Sequence, residues 1–259
     1  MKNLSYLYII LLFSILACAS QKKIVKPPAP GKAVAPSTKT ENTISIFHMG
    51  LIDYYIIDST TTSMASAKKI IDAMSSQIKY DIIYDTKSIV TLRYNADGTI
   101  NNKILYNYSD GALYEYIYNY NEIYYCKIGT YLNEQHSERE AQYLDKIFIK
   151  NSAADKIIFG YKCNQITIKD PIINNKILAE VFISRDIPYV NRGFGQIGSV
   201  LNGLPLETTM TVQGVKMRTG ALNHRNDSSL AKFLEPNLST STELDVDAFR
   251  NLKESYRAY

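Results

Sequence analysis

The sequence predicts a mainly β protein, an α+β fold dominated by an antiparallel sheet, with two helices. Three observations lead to this fold class. Apolar and β-branched residues alternate with polar residues over many short runs. Short Asn, Asp and Gly turns separate consecutive runs, which favours hairpins over βαβ units. One segment ahead of the hairpins has a long helical periodicity. We expect about nine to eleven strands.

The composition excludes several classes of protein. Of the 259 residues, 46% are hydrophobic and 21% are charged, so the chain can bury a core and is not disordered overall. A formal net charge of +4, with no compact basic run, does not favour a nucleic-acid partner. Three cysteines and three histidines leave little material for a metal site. We therefore expect no nucleic acid, no metal and no cofactor.

Residues 1–17 are predicted to form a signal peptide. Lys2 precedes an apolar run over 7–16, which is too short to span a bilayer and has the length of a signal-peptide core. The run ends in Ile15-Leu16-Ala17-Cys18, which resembles the lipobox of bacterial lipoproteins. The resemblance implies cleavage before Cys18 and acylation of that cysteine with chains such as palmitate, an anchor without a transmembrane helix. The alternative is an ordinary secretory signal in which Cys18 has no special role.

Residues 18–43 are predicted to be the lipidated cysteine and a proline-rich tether. Four of the eight prolines lie here, among Lys, Ala, Ser and Thr. Extended as polyproline II, about 25 such residues reach roughly 75 Å. The sequence Ala19-Ser20-Gln21-Lys22 does not resemble an inner-membrane retention signal, so we expect a cell-envelope protein anchored to the outer membrane. Its periplasmic or surface orientation stays open.

The folded part is predicted to begin near Ile44 with a strand over 44–57. A helix is expected next, because apolar residues recur at helical spacing at Met64, Ala67, Ile71, Met74 and Ile78. The Ser/Thr run before Met64 can cap its start. Strands are then expected over 82–94, 100–108, 114–120 and 123–131. Turn signals separate them at Asn95-Ala96-Asp97-Gly98, at Ser109-Asp110-Gly111 and near Asn121.

The second half of the chain is predicted to continue in the same style. Strands are expected from near Phe148, over 157–168, 177–184, 206–212 and 215–222, with a turn at Gln213-Gly214 between the last two. Phe249, Leu252 and Tyr256 predict a short amphipathic C-terminal helix, with Asp245 or Asp247 in its first turn. The predicted β-rich domain thus covers 44–225, and the C-terminal segment covers 226–259.

Two motifs in the second half carry a resemblance to a known family. The first is Lys156-Ile157-Ile158-Phe159-Gly160-Tyr161-Lys162-Cys163; the second joins Val181-Phe182-Ile183-Ser184-Arg185-Asp186-Ile187-Pro188 to Gly203-Leu204-Pro205-Leu206-Glu207. This order resembles a family of exported bacterial proteins of unknown function related to the GLPGLI group. The resemblance implies an antiparallel curled sheet, or half-open barrel, wrapped around one helix and similar to the lipoprotein carrier LolA. It brings no established activity, so no catalytic residue is carried over.

Two cysteines, Cys126 and Cys163, remain once Cys18 is assigned to the lipid. In an oxidising compartment they form either a disulfide, worth about 4 kcal/mol on the chain-entropy model, or two buried thiols. Sequence alone does not show whether their Cβ atoms meet, so both alternatives stay open.

An unusual tyrosine stripe marks one predicted strand. Tyr114, Tyr116, Tyr118 and Tyr120 alternate with other residues and therefore lie on one face. Because tyrosine combines an apolar ring with a polar hydroxyl, this face is a candidate for holding a lipid chain or for stacking on a sugar ring. The alternative is an ordinary half-buried sheet face, since tyrosine is a good strand former.

No catalytic motif is recognised, and we expect no enzyme activity. Gly193-Phe194-Gly195-Gln196-Ile197-Gly198 matches a dinucleotide-binding pattern, but its antiparallel context indicates a loop.

We expect a non-enzymatic envelope lipoprotein that binds an apolar ligand, a lipid or an acyl chain, in a cavity facing the helix. One alternative is an envelope scaffold that binds a protein partner without a ligand cavity. Another is a hydrolase built around His136 or His224.

Overall fold

The computed structural model describes residues 43–57, 62–119, 122–128, 148–170, 176–188 and 203–257. The predicted signal peptide, Cys18 and nearly all of the predicted tether lie outside the described residues. Tyr120, His136 and the glycine-rich segment 193–198 also lie outside them. What the sequence predicts for these parts of the chain stays a prediction.

Twelve strands form one sheet. They are β1 (Ser45–Ile56), β2 (Tyr80–Tyr84), β3 (Ser88–Tyr94), β4 (Ile100–Asn107), β5 (Leu113–Asn119), β6 (Glu122–Ile128), β7 (Phe148–Ile158), β8 (Tyr161–Asp170), β9 (Lys176–Ser184), β10 (Leu204–Val212), β11 (Val215–Asn226) and β12 (Thr242–Glu243). Their order is β12-β6-β5-β4-β3-β2-β1-β11-β10-β9-β8-β7, so the described strands form an unclosed sheet. Only the β12–β6 pair is parallel within it. The predicted mainly β class, with a curled antiparallel sheet and few helices, is confirmed.

The first strand joins the two halves of the sheet. β1 pairs with β2 over Ser45–Met49 and with β11 along most of its length. From this centre, consecutive hairpins run outward from β2 to β6 on one side and from β11 back to β7 on the other. Phe47 is paired with Ile82 on one neighbour and with His224 on the other. Residues far apart in the sequence therefore lie side by side at the middle of the sheet.

Tight turns with positive backbone φ join several hairpins where the sequence predicts them. The turn between β3 and β4 contains Gly98 at a φ of 84°. In the turn between β10 and β11, Gln213 and Gly214 have φ values of 49° and 78°. Positive φ at both central residues is the geometry of a type I′ turn, whose twist matches that of the flanking strands.

The single strand predicted over 82–94 is wrong, because the chain makes a tight turn within it. Asp85 Oδ1 accepts hydrogen bonds from the backbone N–H groups of Lys87 and Ser88, at 2.7 and 2.8 Å. This Asx turn separates β2 from β3. It needs neither glycine nor proline, so its only sequence signal is one aspartate between two apolar runs.

The helix α1 (Met64–Ile78) is capped as predicted and packs on the sheet. Ser63 Oγ accepts a hydrogen bond from the backbone N–H of Ser66 at 3.2 Å, which satisfies one donor at the helix start. Ala67 is fully buried against Val215 and Met217 of β11, with further apolar residues of the helix partly buried around them. Met64, which the helical periodicity places on the apolar stripe, is exposed.

The C-terminal segment covers both faces of the sheet at its β6 end. A 3₁₀ helix (Ser228–Phe233) and Leu234 pack on the face that contains Tyr116. β12 then pairs with β6 at the sheet edge. The helix α2 (Val246–Arg257) packs Phe249 on the opposite face, against Ile117 and Cys126. The predicted C-terminal helix is confirmed, but the sequence did not indicate the 3₁₀ helix or β12.

Candidate functional site

The hydroxyl groups of Tyr84 and Tyr161 are in hydrogen-bond contact. Tyr84 ends β2 and Tyr161 begins β8, and five strand-to-strand steps separate these strands in the sheet. In a flat sheet, five steps correspond to about 24 Å. The sheet is therefore curled strongly enough to bring its two halves together.

A second contact joins the two halves near the first. The Tyr108 hydroxyl, just after β4, donates a hydrogen bond to the carbonyl oxygen of Pro188, just after β9, at 3.0 Å. Six steps separate β4 and β9 in the sheet order. The curl thus encloses an interior. Its two walls are the halves of the sheet on either side of β1, and these two tyrosine contacts lie where the walls meet.

An aromatic cluster lines this meeting point. The fully buried ring of Phe47 stacks on His224, with ring centroids 4.5 Å apart, and on Tyr84 at 5.8 Å. Tyr161 meets the Phe47 ring edge-on at 5.5 Å. The Tyr84 hydroxyl also lies 3.5 Å from His224 Nε2. Three strands, β1, β2 and β11, contribute to the cluster through in-register pairing, and β8 contributes through the curl.

The interior as a whole, including this aromatic cluster, is mainly apolar and contains residues from both halves of the sheet. Its buried members are Phe47, Met49, Ile82, Tyr84, Ile89, Cys163, Ile187, Leu204, Leu206 and Ala221. Around them lies a rim of partly buried residues, Tyr80, Tyr106, Tyr108, Ile158, Tyr161 and Phe182. Sites that hold apolar ligands have this composition: mostly apolar walls with a few polar groups placed at the edge.

Burial keeps the tyrosine hydroxyls and the cysteine thiol of this interior uncharged. Desolvation, together with the hydrogen bond to Tyr161, raises the pKa of Tyr84 above its ordinary value. Desolvation also raises the pKa of Tyr106 and of Tyr108. It raises the pKa of the Cys163 thiol to about 11, so this thiol is a poor nucleophile at neutral pH. The buried members of this interior therefore offer neutral hydroxyls and apolar surface. Charged groups lie at its edge, where Lys156 Nζ is 5.2 Å from the centroid of the Phe182 ring and pairs with Glu207.

The predicted tyrosine stripe lies on a different surface. Tyr114 and Tyr116 are buried and Tyr118 is partly buried, in the cluster covered by the 3₁₀ helix. Lys103 Nζ lies 4.9 Å from the centroid of the Tyr116 ring and donates a hydrogen bond to the carbonyl of Glu235 at 2.8 Å. The chain's own C-terminal segment occupies the space in front of these rings, so a ligand would have to displace it. A ligand-binding role for these tyrosines stays a prediction.

Cys126 and Cys163 are not joined by a disulfide. Cys126 is buried under α2, whereas Cys163 lies in the apolar interior of the curl. Nine strand-to-strand steps separate β6 from β8 in the sheet order, so the two thiols belong to different clusters. Of the two alternatives considered from the sequence, the structure therefore has two buried thiols and not the disulfide.

His48, Asp81 and Tyr94 form a second polar group that sequence reasoning missed. His48 Nδ1 lies 2.7 Å from Asp81 Oδ1, and the Tyr94 hydroxyl donates to Asp81 Oδ2 at 2.6 Å. Desolvation, with the hydrogen bond to Asp81, raises the pKa of Tyr94. The three residues come from β1, β2 and β3, and no spacing along the chain could have revealed them. Among the described residues, no group of three or more His, Cys, Asp and Glu side chains could hold a metal ion.

The described helices do not include one that is long and apolar enough to cross a membrane. The hydrolase alternative named two histidines. His224 is in the aromatic cluster described above, and His136 lies outside the described residues. That alternative therefore stays untested.

Comparison with known proteins gives structural similarities at low sequence identity. No protein-family model matches the chain, and no curated protein matches it. The structure of PNGF-II is similar with a TM-score of 0.48 and 14% identity, over 82% of this chain and 32% of PNGF-II. The chain thus spans about a third of the length of PNGF-II.

Two smaller proteins are also similar in structure. An uncharacterised conserved protein from Thermus thermophilus has a TM-score of 0.35 and 6% identity, over 78% of this chain and 90% of its own. A LolA superfamily protein from Nitrosomonas europaea has a TM-score of 0.24 and 8% identity, over 75% of this chain and 89% of its own. Because the TM-scores are below 0.5 and the identities are 14% or less, we base no conclusion about function on these similarities.

Proposed function

We propose that this chain is a non-enzymatic lipoprotein of the cell envelope that binds an apolar ligand, a lipid or an acyl chain, inside its curled sheet. In this proposal Cys18 carries the acyl anchor, and residues 19–43 hold the folded part away from the outer membrane. The GLPGLI-related resemblance of the sequence is consistent with an exported protein and adds no activity.

One observation carries the ligand-binding proposal: the apolar interior is built from both halves of the sheet and has a partly exposed aromatic rim. The rim residues Tyr80, Tyr106 and Phe182 lie on β2, β4 and β9. An apolar chain that enters between these rings exchanges water for ring and aliphatic surface, a gain of about 25 cal/mol per Å² of buried apolar area.

Access to the interior follows from the same geometry. The described residues join the two halves across the interior by two polar contacts, between Tyr84 and Tyr161 and between Tyr108 and Pro188. Each net hydrogen bond contributes about 1 kcal/mol. The edge-on contact of Tyr161 with the Phe47 ring joins the halves as well, so an entering ligand must also replace this aromatic packing. We therefore propose that a ligand enters where the walls meet, by parting these contacts, and that the hydroxyls then face its polar end.

Native mass spectrometry tests this proposal directly. The protein used is residues 19–259, exported to the periplasm of an expression host with a cleavable signal and without the lipid anchor. We expect an additional mass that is lost on extraction into organic solvent. A folded chain with no extractable mass, and no binding of a fluorescent long-chain fatty acid added afterwards, would contradict it.

A matched pair of variants separates the interior from other aromatic surfaces. Tyr106→Ser removes a rim ring, and we expect it to weaken binding of the fluorescent fatty acid. Tyr124→Ser removes a partly buried tyrosine of β6 that lies outside the interior, with its hydroxyl on Glu122. We expect this control to bind as the parent does. Equal binding by all three proteins would argue against the interior as the site.

The scaffold alternative has one observation in its favour. Ile157 of β7 and Phe159 of the turn that follows it are exposed large apolar residues at the β7 edge of the sheet. Exposed apolar side chains of this kind occur at protein interfaces. Crosslinking of the lipidated protein in its own envelope tests this alternative: it predicts one partner protein whose crosslink is lost in Ile157→Asp.

A further inference from the structure

A buried cross-strand row of the sheet contains a cation beside an aromatic ring. Lys103 of β4 is paired in register with Leu92 of β3 on one side and with Tyr116 of β5 on the other. Only 2% of Lys103 is exposed, and Tyr116 is fully buried. Lys103 Nζ lies 4.9 Å from the centroid of the Tyr116 ring. Lysine is almost never buried to this degree unless its charge is paired.

The Lys103 ammonium has fewer partners than a buried cation requires. It has three donors, and among the described residues only the carbonyl oxygen of Glu235, at 2.8 Å, accepts a hydrogen bond from it. Desolvation lowers the pKa of Lys103 to about 8, and the exposed Glu235 carboxylate, which acts through space, opposes this only in part. The described part of the chain therefore does not supply the counter-charge that stabilises a buried ammonium.

The Tyr116 hydroxyl is a second buried donor beside this ammonium. Among the described residues it has no hydrogen-bond partner. The backbone N–H of Asn237 is directed at this hydroxyl without reaching hydrogen-bond geometry. Segment 235–237, which belongs to no helix or strand, thus passes over both Lys103 and Tyr116. An ammonium, a phenol hydroxyl and a backbone N–H converge beneath it, and all three can donate to one acceptor.

We propose that Lys103, Tyr116 and the backbone N–H of Asn237 form a binding site for the carboxylate group of a small organic acid. The two oxygens of a carboxylate offer about four lone-pair positions, enough for the remaining ammonium donors, the hydroxyl and the amide. Its single negative charge neutralises the single ammonium, whereas a phosphate dianion leaves a buried charge without a partner. The site thus gives the tyrosine-rich face of β5 a polar ligand in place of a lipid chain.

Access to this site is from the side of segment 235–237. Glu235 and Pro236 are exposed. Just before them, Leu234 is buried and its carbonyl accepts a hydrogen bond from the Ser88 hydroxyl at 3.2 Å, and after them β12 pairs with β6. The segment is held at both ends and is irregular between them, so a local motion can admit a small ligand while the sheet stays folded. Because the Glu235 carboxylate lies at this entrance, we expect weak binding.

Titration of residues 19–259, which contain every described residue, with sodium acetate at constant ionic strength tests the proposal. Sodium chloride is the salt that acetate replaces. We expect a saturable change in the amide chemical shift of Asn237 and a higher midpoint of urea unfolding. Lys103→Met should abolish both effects. Tyr116→Phe keeps the ring beside Lys103 and should weaken acetate binding about fivefold, because it removes one hydrogen bond.

Two control variants change the same residue types elsewhere on the sheet. Lys127→Met removes an exposed ammonium that lies 5.6 Å from the centroid of the Tyr114 ring. Tyr124→Phe removes a hydroxyl that donates to Glu122. Both should respond to acetate as the parent does. A rise in the urea midpoint that is equal in all proteins, with no saturable shift at Asn237, would be the general salt effect of acetate and would overturn the proposal.

Glu235→Gln distinguishes an external carboxylate from the chain's own. This variant removes the negative charge at the entrance, so acetate should bind more tightly to it than to the parent. A response to acetate in Glu235→Gln alone would mean that Glu235 itself supplies the counter-charge of Lys103, and no external ligand would be needed. Inorganic phosphate should bind more weakly than acetate to the parent. Tighter binding of phosphate would overturn the assignment of a carboxylate.

Discussion

The ammonium group of Lys253, on α2, contacts the carboxylate of Glu115, in the middle of β5. The Glu115 side chain is almost completely buried, and Asn102 Nδ2 also donates to it at 3.3 Å. One ion pair therefore fixes the C-terminal helix to the face of the sheet that contains Cys126.

Removing the lysine from this pair is expected to destabilise the protein. Lys253→Met leaves a buried carboxylate with only its hydrogen-bond donors, and we expect a loss of about 2–3 kcal/mol in the free energy of unfolding. Arg250→Met is the control, because Arg250 pairs with the exposed Asp247 and should cost less than about 0.5 kcal/mol. Urea unfolding measures both. Equal losses in the two variants would show that the buried Glu115–Lys253 pair stabilises the protein no more than an exposed ion pair does.

The buried Lys103 predicts a stability that rises with pH. Desolvation lowers the pKa of Lys103 to about 8, below the unfolded value near 10.5. Below pH 8 the folded state therefore carries the full cost of a buried charge, about 3 kcal/mol, and this cost declines as the pH rises toward 10.5. Between pH 7 and 9.5 we expect the free energy of unfolding of the parent to gain about 2 kcal/mol relative to Lys103→Met.

The control for this experiment is Lys127→Met. Lys127 lies 5.6 Å from the centroid of the Tyr114 ring but is exposed, so it keeps the cation–π geometry without the burial. Urea unfolding at the two pH values should show no pH-dependent difference for this variant. A similar pH dependence in both variants would argue against Lys103 as the cause.

How much of this could be predicted from sequence depends on how local each feature is. The turn at Gly98, the cap at Ser63 and the helix around Phe249 follow from a few adjacent residues, and all three predictions are confirmed. The Asx turn at Asp85 was missed because one aspartate is a weak signal in an apolar run.

The candidate site was not predictable in the same way. It depends on the curl, which brings Tyr84 and Tyr161 together across five strand steps. The alternating tyrosines from Tyr114 to Tyr118 gave a clear period, but the period alone could not show that the C-terminal segment would cover that face. Long-range contacts of this kind leave no mark in the spacing of residues along the chain.

The contact between Tyr84 and Tyr161 is expected to hold the two walls of the interior together. Tyr161→Phe keeps the edge-on ring contact with Phe47 and removes the hydroxyl, so we expect a loss of about 1 kcal/mol in the free energy of unfolding. Hydrogen exchange should increase at the start of β8. Tyr124→Phe, which loses an exposed hydrogen bond to Glu122, should change neither measurement. Unchanged exchange in β8 would mean that apolar packing alone closes the walls.

Buried tyrosines predict a loss of stability at alkaline pH. Desolvation raises the pKa of Tyr84, Tyr94, Tyr106 and Tyr108 above the ordinary value of 10. Their stabilising contribution is complete below pH 10 and is lost as the pH rises above it, because the unfolded chain then releases protons that the folded chain retains. Absorbance of tyrosinate should show that part of the 21 tyrosines ionise only when the chain unfolds. A smooth single titration of all tyrosines in the folded protein would contradict this.

Gly203, which begins the Gly-Leu-Pro motif, is expected to tolerate no side chain. Its φ is +140°, and an added Cβ would lie 2.5 Å from the carbonyl oxygen of Ser184 and 2.7 Å from a methyl group of Ile183. Backbone strain and steric overlap therefore act together, and because the opposing atom is backbone, no side-chain rotation relieves it. We expect Gly203→Ala to cost about 3 kcal/mol or more in the free energy of unfolding.

Gly98 provides the matched control, since its φ is +84° and an added Cβ would have no atom within 4 Å. Gly98→Ala then measures the backbone strain alone, which we expect to cost about 1–2 kcal/mol. The difference between the two variants in urea unfolding reports the close approach of β9 to the start of β10, together with the less accessible φ of Gly203. If the two losses were equal, the glycine of the motif would be required for its backbone conformation only, and the packing of Ser184 against Gly203 would not constrain this position.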